Sequence, residues 1–302
     1  MTFVCCPICD CEQTTVFHTV VWRGPGRVVM KCPSCETYFL SPRFNAEQQD
    51  AFNLEYDQYI VSRAALVEQY SPKGFDAQVD ESIAERFRDV AKWFPPGKSV
   101  LEIGAEKGGF LDLIATTSQV IAAVDSCPEY VDVLARKGYN AYRSVTDVPG
   151  GNLFDRVCLF SLLEHIPEPR SFLRLLKDYL SHDGLMIIEI PSAREPLLEL
   201  YDVTEFRSFY FQAMHPYVYS AKAATLLLQD SGFEIAEASC KQRYGLSNHL
   251  QWLKAGTPGG NQTFDAIFSG AADAAYKTAL ETRGSTDTLY LVARHAEASI
   301  SS

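Results

Sequence analysis

The sequence predicts an α/β fold in which helices cover both faces of a largely parallel sheet. From Ser99 onward, short apolar runs that suit buried strands alternate with stretches that suit helices. The apolar runs are SVLEIG, VIAAVD, FDRVCLF and GLMIIEI, and the helical stretches GGFLDLIATT and EYVDVLARKG lie between the first three. Such alternation is typical of parallel strands joined by right-handed crossovers. A binding site is then expected at the carboxyl ends of the strands.

Three segments of different composition predict the domain organisation. Residues 1–44 hold six of the nine cysteines and form a small module of short strands. Residues 45–96 are predicted to be helical, because their apolar side chains recur at steps of three and four. Residues 97–302 form the α/β domain, with substrate-side insertions at 191–219 and 241–262.

Charge and hydropathy disfavour two classes of partner. The chain has 27 Lys and Arg against 38 Asp and Glu, a net charge of −11, which argues against the broad basic surface that nucleic acids require. No apolar run is long enough to span a membrane, and the first residues lack the pattern of a secretory signal. A cytoplasmic protein without a membrane partner is therefore expected.

A glycine-rich loop follows the first predicted strand. In LEIGAEKGGF the strand ends at Gly104, and Gly108 opens the next helix; glycine there lets a ligand approach the backbone closely. The next strand ends at Asp125, about twenty residues further on, where a carboxylate can bind both hydroxyls of a ribose. The loop, the spacing and the acid together predict a nucleotide-containing cofactor, for which a dinucleotide is one candidate.

Glu102 in the first strand and SLLEHIPEP after FDRVCLF indicate a different cofactor. With these motifs, residues 97–190 resemble the class I S-adenosylmethionine (SAM)-dependent methyltransferases, whose Rossmann-like sheet has seven strands, the last antiparallel. Two further predicted strands, in FEIAEASC and TDTLYLVARHA, agree with that number. Glu106 departs from the family, which often has glycine there. The resemblance implies that SAM is held by Glu102, Gly104, Ala105, Gly108, Asp125, Ser126, Ser144, Val145, Phe160, Ser161 and Leu162.

Histidines are the candidates for the base that removes a proton from the acceptor, because their pKa is near neutrality. His215 lies in FYFQAMHPYVYS, which is similar to a stretch of sugar C-methyltransferases and implies a histidine that faces the substrate. Met214 replaces the glutamate of that stretch, and Tyr217 is a candidate helper. His165, in LEHIP, is the second candidate base, and a role in shaping the cofactor site is its alternative.

The segment KQRYGLSNHLQWLKAGTPGG, between the sixth and seventh strands, is longer and more polar than a hairpin requires. Its side chains offer hydrogen bonds and aromatic faces that suit a sugar or a phosphate. A lid or a dimer contact is the alternative. With one aromatic from the earlier insertion, the predicted acceptor-binding residues are Tyr210, Arg243, Tyr244, Asn248, His249 and Trp252.

Two Cys-x-x-Cys pairs, Cys6 with Cys9 and Cys32 with Cys35, are separated by 22 residues, a spacing typical of zinc ribbons. Four thiolates complete a tetrahedral site, so the predicted Zn²⁺ is structural.

The stretch VVWRGPGRVVM between the two pairs is predicted to be a hairpin, and Cys5 and Cys11 remain as alternative ligands. The module resembles the zinc-binding domain of some sugar C-methyltransferases. We expect it to pack on the helices of residues 46–94 and to form one wall of the acceptor pocket.

The sequence thus predicts SAM-dependent methylation of a small molecule, a sugar or nucleotide-activated sugar of surface polysaccharide or secondary metabolism, at carbon or oxygen. One alternative is a zinc-knuckle methyltransferase of ribosomal RNA, which the acidic balance disfavours. Another is an inactive SAM-fold protein that binds a partner. A homodimer is a further expectation.

Overall fold

The computed structural model describes residues 4–45, 48, 75–259, 264–268 and 270–296. The described residues form eleven strands, which in chain order are β1 (Thr15–His18), β2 (Val28–Lys31), β3 (Tyr38–Ser41), β4 (Ser99–Ile103), β5 (Val120–Val124), β6 (Asn140–Tyr142), β7 (Phe154–Phe160), β8 (Leu180–Pro191), β9 (Tyr217–Val218), β10 (Phe233–Lys241) and β11 (Thr288–His295).

The α-helices with described bounds are α1 (Phe75–Val90), α2 (Gly109–Ile114), α3 (Pro128–Arg136), α4 (Pro169–Leu176), α5 (Pro196–Glu199), α6 (Thr204–Tyr210), α7 (Ala221–Asp230), α8 (Leu246–Ala255), α9 (Asp265–Phe268) and α10 (Ala271–Arg283). Proline occupies the first turn of α3 and of α4, where its missing N–H costs no hydrogen bond. Single turns of 3₁₀-helix lie at Ala91–Trp93, Val145–Asp147, Leu163–His165 and Lys177–Tyr179.

Seven strands form one sheet in the order β10-β11-β8-β7-β4-β5-β6. The strands from β8 to β6 in this order run parallel, and β11 is antiparallel to both of its neighbours. The chain enters the sheet at β4, proceeds outward to β6 and returns to β7 on the other side of β4. Ligands bind at such a reversal point in open α/β sheets. The predicted Rossmann-like fold with seven strands is confirmed.

Side chains of the central strands alternate between two cores, as the two-residue period of a strand requires. On one face, Leu101 and Ile103 of β4 pack with apolar residues of α4 and α7. On the other face, Val100 packs in a cluster with Phe110 of α2 and Cys158 of β7. Cys158 is fully buried there, so it is a packing residue.

The N-terminal module is joined to the α/β domain through a second sheet. Its strands have the order β1-β2-β3-β9 and are all antiparallel, and β9 belongs to the insertion that follows β8. Tyr38 of β3 pairs with Val218 of β9. The Trp22 N–H donates to the Phe211 carbonyl at 2.8 Å, and the Ala213 N–H donates to the Trp22 carbonyl at 3.0 Å. Module and insertion therefore share main-chain hydrogen bonds.

The structure corrects one detail of the predicted module. The first strand of its hairpin is β1 and not the predicted VVW, because Trp22 forms a bridge with Gln212 of the insertion instead. The module packs on α7 and β9, where Phe39 and Tyr217 share one apolar cluster. Of the predicted helical segment, residues 46–47 and 49–74 lie outside the described residues, and α1 is the described part.

Among the described helices, none combines the length and the apolar character that a membrane span requires.

We predict that Ser220→Ala lowers the free energy of unfolding by about 1–2 kcal/mol, because this hydroxyl has two partners. Ser220 Oγ accepts from the Ala223 N–H at the start of α7 (3.0 Å) and donates to the Cys35 carbonyl of the module. Denaturant titration measures the change. Ser34→Ala, at an exposed position of the module, is the control and should leave stability unchanged. Equal stability of the two variants would contradict the prediction.

Candidate active site

A cavity of about 690 Å³ opens at the carboxyl ends of β4, β5 and β7. This size is sufficient for a cofactor and a small acceptor. Gly108 alone of the eleven predicted cofactor residues does not line it. The ten that do are Glu102, Gly104, Ala105, Asp125, Ser126, Ser144, Val145, Phe160, Ser161 and Leu162.

The loop after β4 requires glycine at two positions. Gly104 has φ 78°, and a Cβ atom there would lie 3.2 Å from Leu162 Cδ1. Gly108 has φ 76°, and a Cβ atom would lie 2.7 Å from Leu134 Cδ2, so this glycine permits close packing on α3. Glu106 also has a positive φ, 48°. The backbone therefore follows a path that suits glycine, although glutamate occupies the position.

Asp125 fixes this loop to the end of β5. Its Oδ2 accepts from the Glu106 N–H at 2.8 Å, and its Oδ1 accepts from the Cys127 N–H at 2.9 Å. The same carboxylate lines the cavity. Asp125 thus both fixes the loop after β4 and contributes a carboxylate to the wall of the cavity.

Arg86 of α1 was missed by the sequence analysis and also lines the cavity. It donates to Glu189 of β8 from Nε at 2.6 Å and from Nη2 at 3.0 Å, and the Tyr290 hydroxyl donates to Glu189 at 2.9 Å. Burial alone would raise the pKa of Glu189, but Arg86 and Arg243 lower it to about 2. The signal in the sequence was an arginine three residues after Ile83, on the apolar face of the predicted helix.

Glu102 is a buried carboxyl group that lines the cavity. Burial raises the pKa of Glu102 to about 8, against the charge of Arg86, which lowers it. Within the part of the chain that the structure describes, Glu102 Oε2 has no hydrogen-bond partner. At neutral pH the free chain therefore presents a largely protonated carboxyl group to the cavity.

The two candidate histidines lie together. The ring centroids of His165 and His215 are 4.6 Å apart and their planes are nearly perpendicular, at 81°. His165 lines the cavity beside Met214, and its Nδ1 is 3.1 Å from the Met214 carbonyl oxygen. Burial lowers the pKa of His165 to about 4, so this imidazole is neutral at physiological pH. Gln212 Nε2 lies 3.1 Å from both ring nitrogens of His215.

Two of the predicted acceptor-binding residues, Arg243 and Tyr244, line the cavity. Asp287, another residue that the sequence analysis missed, holds them: the backbone N–H groups of both donate to its Oδ2 at 2.9 Å. Arg243 Nη1 is 3.5 Å from Glu189 Oε1. Buried carboxylates thus fix the arginine on two sides.

Six predicted catalytic or acceptor-binding residues do not line the cavity, and other groups engage them; one of the six is His215, which lies against His165 and Gln212. The Tyr217 hydroxyl donates to the Pro167 carbonyl at 3.1 Å. His249 Nδ1 lies 2.5 Å from the Tyr276 hydroxyl, and Trp252 is buried in an aromatic cluster. The side of α8 that carries Asn248, His249 and Trp252 is therefore buried in the protein core, although two of these three side chains are polar. The six residues are Tyr210, His215, Tyr217, Asn248, His249 and Trp252.

The four cysteines of the two Cys-x-x-Cys pairs converge. The Sγ atoms of Cys6 and Cys35 are 3.6 Å apart, those of Cys9 and Cys32 are 3.5 Å apart, and all four lie within 4.8 Å of one another. A tetrahedral Zn²⁺ with Zn–S bonds of about 2.3 Å separates its sulfurs by about 3.8 Å. The donor set fits a structural zinc ion.

The two knuckles have matching backbones. Asp10 and Glu36, which each follow the second cysteine of a pair, have φ 57° and 61°. Cys5 and Cys11 lie outside the cluster of four. None of residues 4–45 lines the cavity, so the expectation that this module forms a wall of the pocket is wrong.

Comparisons with known proteins agree with this architecture. A family model described as a methyltransferase domain matches residues 75–238, more than half of the chain. No curated protein matches the chain. Among solved structures, a SAM-dependent methyltransferase from Archaeoglobus fulgidus is similar, with a TM-score of 0.51 and 16% identity over 78% of this chain and 98% of that one.

The 1,6-didemethyltoxoflavin-N1-methyltransferase of Burkholderia thailandensis, solved with 1,6-didemethyltoxoflavin and S-adenosylhomocysteine, is also similar. Its TM-score is 0.48 and its identity 13%, over 90% of this chain and 97% of that one. At such identities the likeness to solved structures concerns the fold alone.

We predict that Cys9→Ser and Cys32→Ser each abolish zinc binding and lower the thermal unfolding temperature, because a structural site needs all four thiolates. Cys5→Ser and Cys11→Ser are the matched controls and should retain about one Zn²⁺ per chain. Elemental analysis of the purified variants measures the metal. Loss of zinc from the Cys5 or Cys11 variant would instead assign a ligand role to that residue.

Proposed function

Because the chain belongs to the family of methyltransferase domains, we propose that it transfers a methyl group from SAM to an oxygen-rich small molecule, a sugar or a nucleotide-activated sugar. The observation that carries the acceptor part of the proposal is the contact between His215 and His165, a histidine that lines the cavity. His165 lines the same cavity as the predicted cofactor residues, and the His215 ring lies 4.6 Å from it.

In this proposal the loop after β4 and the end of β5 bind the cofactor. Glu102 and Gly104 contact the methionine part of SAM, and Asp125 binds the ribose hydroxyls. Ser144 and Val145 border the adenine. SAM supplies an activated methyl group, so the protein's own task is to align the acceptor for in-line attack and to remove one proton.

We assign removal of that proton to His215. If the acceptor atom is a hydroxyl oxygen, the imidazole takes the O–H proton as the oxygen attacks the methyl group. If it is a carbon beside a carbonyl, the imidazole takes the C–H proton and the resulting enolate carbon attacks. In both cases S-adenosylhomocysteine and a protonated base are formed.

Arg243 and Tyr244 suit the polar end of such an acceptor. Arg243 lines the cavity as a guanidinium, and Tyr244, 46% exposed, lies at its edge. A guanidinium and an aromatic face are the groups that bind a phosphate and a sugar or base ring. Mass spectrometry of nucleotide sugars incubated with methyl-labelled SAM tests the acceptor class, and absence of label from every sugar would reject it. The homodimer stays a prediction.

We predict that His215→Ala lowers kcat by about 100-fold or more while the Kd for SAM stays within about twofold, because a general base acts on the acceptor and not on the cofactor. Single-turnover kinetics and calorimetry measure the two quantities. His182→Ala is the control, since that side chain is 97% exposed. Wild-type turnover in His215→Ala would remove this residue from the mechanism.

We predict that SAM affinity rises with pH up to about pH 8. Burial raises the Glu102 pKa to about 8 in the free chain; Arg86 opposes this shift, and Glu106, Asp125 and Asp112 contribute to it. A cationic cofactor requires the ionised carboxylate, so binding below that pH releases a proton and weakens by up to about tenfold per pH unit.

The Glu102→Gln variant is the control for this pH dependence. The amine of SAM titrates equally in experiments with either protein. The difference between the wild type and the variant in the slope of log Kd for SAM against pH is therefore due to Glu102. Identical slopes in calorimetric titrations from pH 6 to 9 would contradict the prediction.

A further inference from the structure

We propose that Glu164, His165 and His215 bind a divalent transition-metal cation beside the acceptor end of the cavity, which His165 lines. The inference rests on the proposed function in one respect, namely that the acceptor would bind next to the cation. The site is separate from the four-cysteine cluster and uses a different set of donor atoms.

The three side chains converge on one point. One nitrogen of each histidine and one carboxylate oxygen of Glu164 lie within 4.8 Å of one another. Three atoms that lie within 4.8 Å of one another all lie within about 2.8 Å of some common point, and small side-chain rotations reach the metal–ligand distances of about 2.0–2.2 Å. The perpendicular rings of His165 and His215 are compatible with two imidazoles on one ion.

Glu164 supplies a buried carboxyl that needs a partner. The residue is 1% exposed, and its Oε2 has no hydrogen-bond partner within the described residues. Of the three arginines that line the cavity, Arg86 and Arg243 are both engaged by Glu189 and act on Glu164 through their charge alone. A buried carboxylate without a partner is costly. A cation between Glu164 and the histidines would offset that cost.

His165 is oriented as a metal ligand. Its Nδ1 is 3.1 Å from the Met214 carbonyl, which can only accept a hydrogen bond, so the proton is on Nδ1 and the lone pair is on Nε2. Metal-ligating histidines characteristically donate their other N–H to a carbonyl or carboxylate in this way. Gln212 Nε2 lies 3.1 Å from the ring nitrogens of His215 and can only donate, so the amide would turn its oxygen toward the ring when His215 binds the cation.

The donor set indicates the class of cation. Two imidazoles and one carboxylate suit Fe²⁺, Mn²⁺, Co²⁺ or Zn²⁺ and leave coordination positions open for oxygen atoms of an acceptor. With the cation bound, His215 would be a ligand and not the base; the cation would lower the pKa of an acceptor hydroxyl that contacts it, and the hydroxyl proton would pass to solvent water. Without the cation, His215 keeps the role of base.

The test is a titration of the zinc-loaded full-length chain with Mn²⁺, in which electron paramagnetic resonance measures free Mn²⁺. Mn²⁺ is chosen because it prefers oxygen and imidazole donors to thiolates. The expected result is one Mn²⁺ bound per chain, with affinity reduced more than about tenfold in Glu164→Gln. Glu168→Gln is the matched control, since that side chain is 78% exposed, and it should bind Mn²⁺ as the wild type does.

Two results would overturn the site: a wild-type chain that binds neither Mn²⁺ nor Co²⁺, or a folded Glu164→Gln that binds Mn²⁺ as tightly as the wild type. If circular dichroism shows that Glu164→Gln does not fold, His215→Gln replaces it, with the same expected loss. SAM affinity measured on the same samples separates the two proposals. SAM binding without Mn²⁺ binding rejects the cation site alone, and Mn²⁺ binding without SAM binding rejects the proposed function alone.

Discussion

The main-chain hydrogen bonds between the N-terminal module and the insertion after β8 are the constraint on which the acceptor end of the cavity depends. The strand β9 has only two residues, too few to be stable without a partner strand. Pairing with β3, together with the bonds of Trp22 to Phe211 and Ala213, fixes the segment that carries His215. A zinc ion that stabilises the module would therefore act on the site from outside the cavity.

A second constraint acts at the other side of the cavity. The ionised carboxylate of Glu189 joins Arg86 of α1, Tyr290 of β11 and Arg243 of the segment after β10. Removing one partner from such a buried network leaves a buried charge without compensation, which strongly destabilises the folded state. These distant segments consequently hold their positions around the cofactor site together.

The cofactor end of the cavity could be predicted from sequence, whereas much of the acceptor end could not. Strand ends and the glycine loop are local signals, and they placed Glu102 and Asp125 at the cavity. Arg86 has its partner 103 residues away, and no local pattern specifies that pair. Trp252 and His249 looked like ligand-binding groups because they are aromatic or polar, but helix packing turns this face of α8 into the core.

Met214 contributes a backbone atom to the histidine pair, where the resemblance implies a side-chain acid. The resemblance to sugar C-methyltransferases implies a glutamate at this position, and methionine supplies no carboxylate. Its carbonyl nevertheless accepts from His165 and fixes the tautomer of that imidazole. A carboxyl group lies close to the same histidines, because Glu164 follows β7 in the turn that also carries His165. The loop after β7 thus brings an acid to the acceptor end, whereas the insertion contributes a histidine and a backbone acceptor.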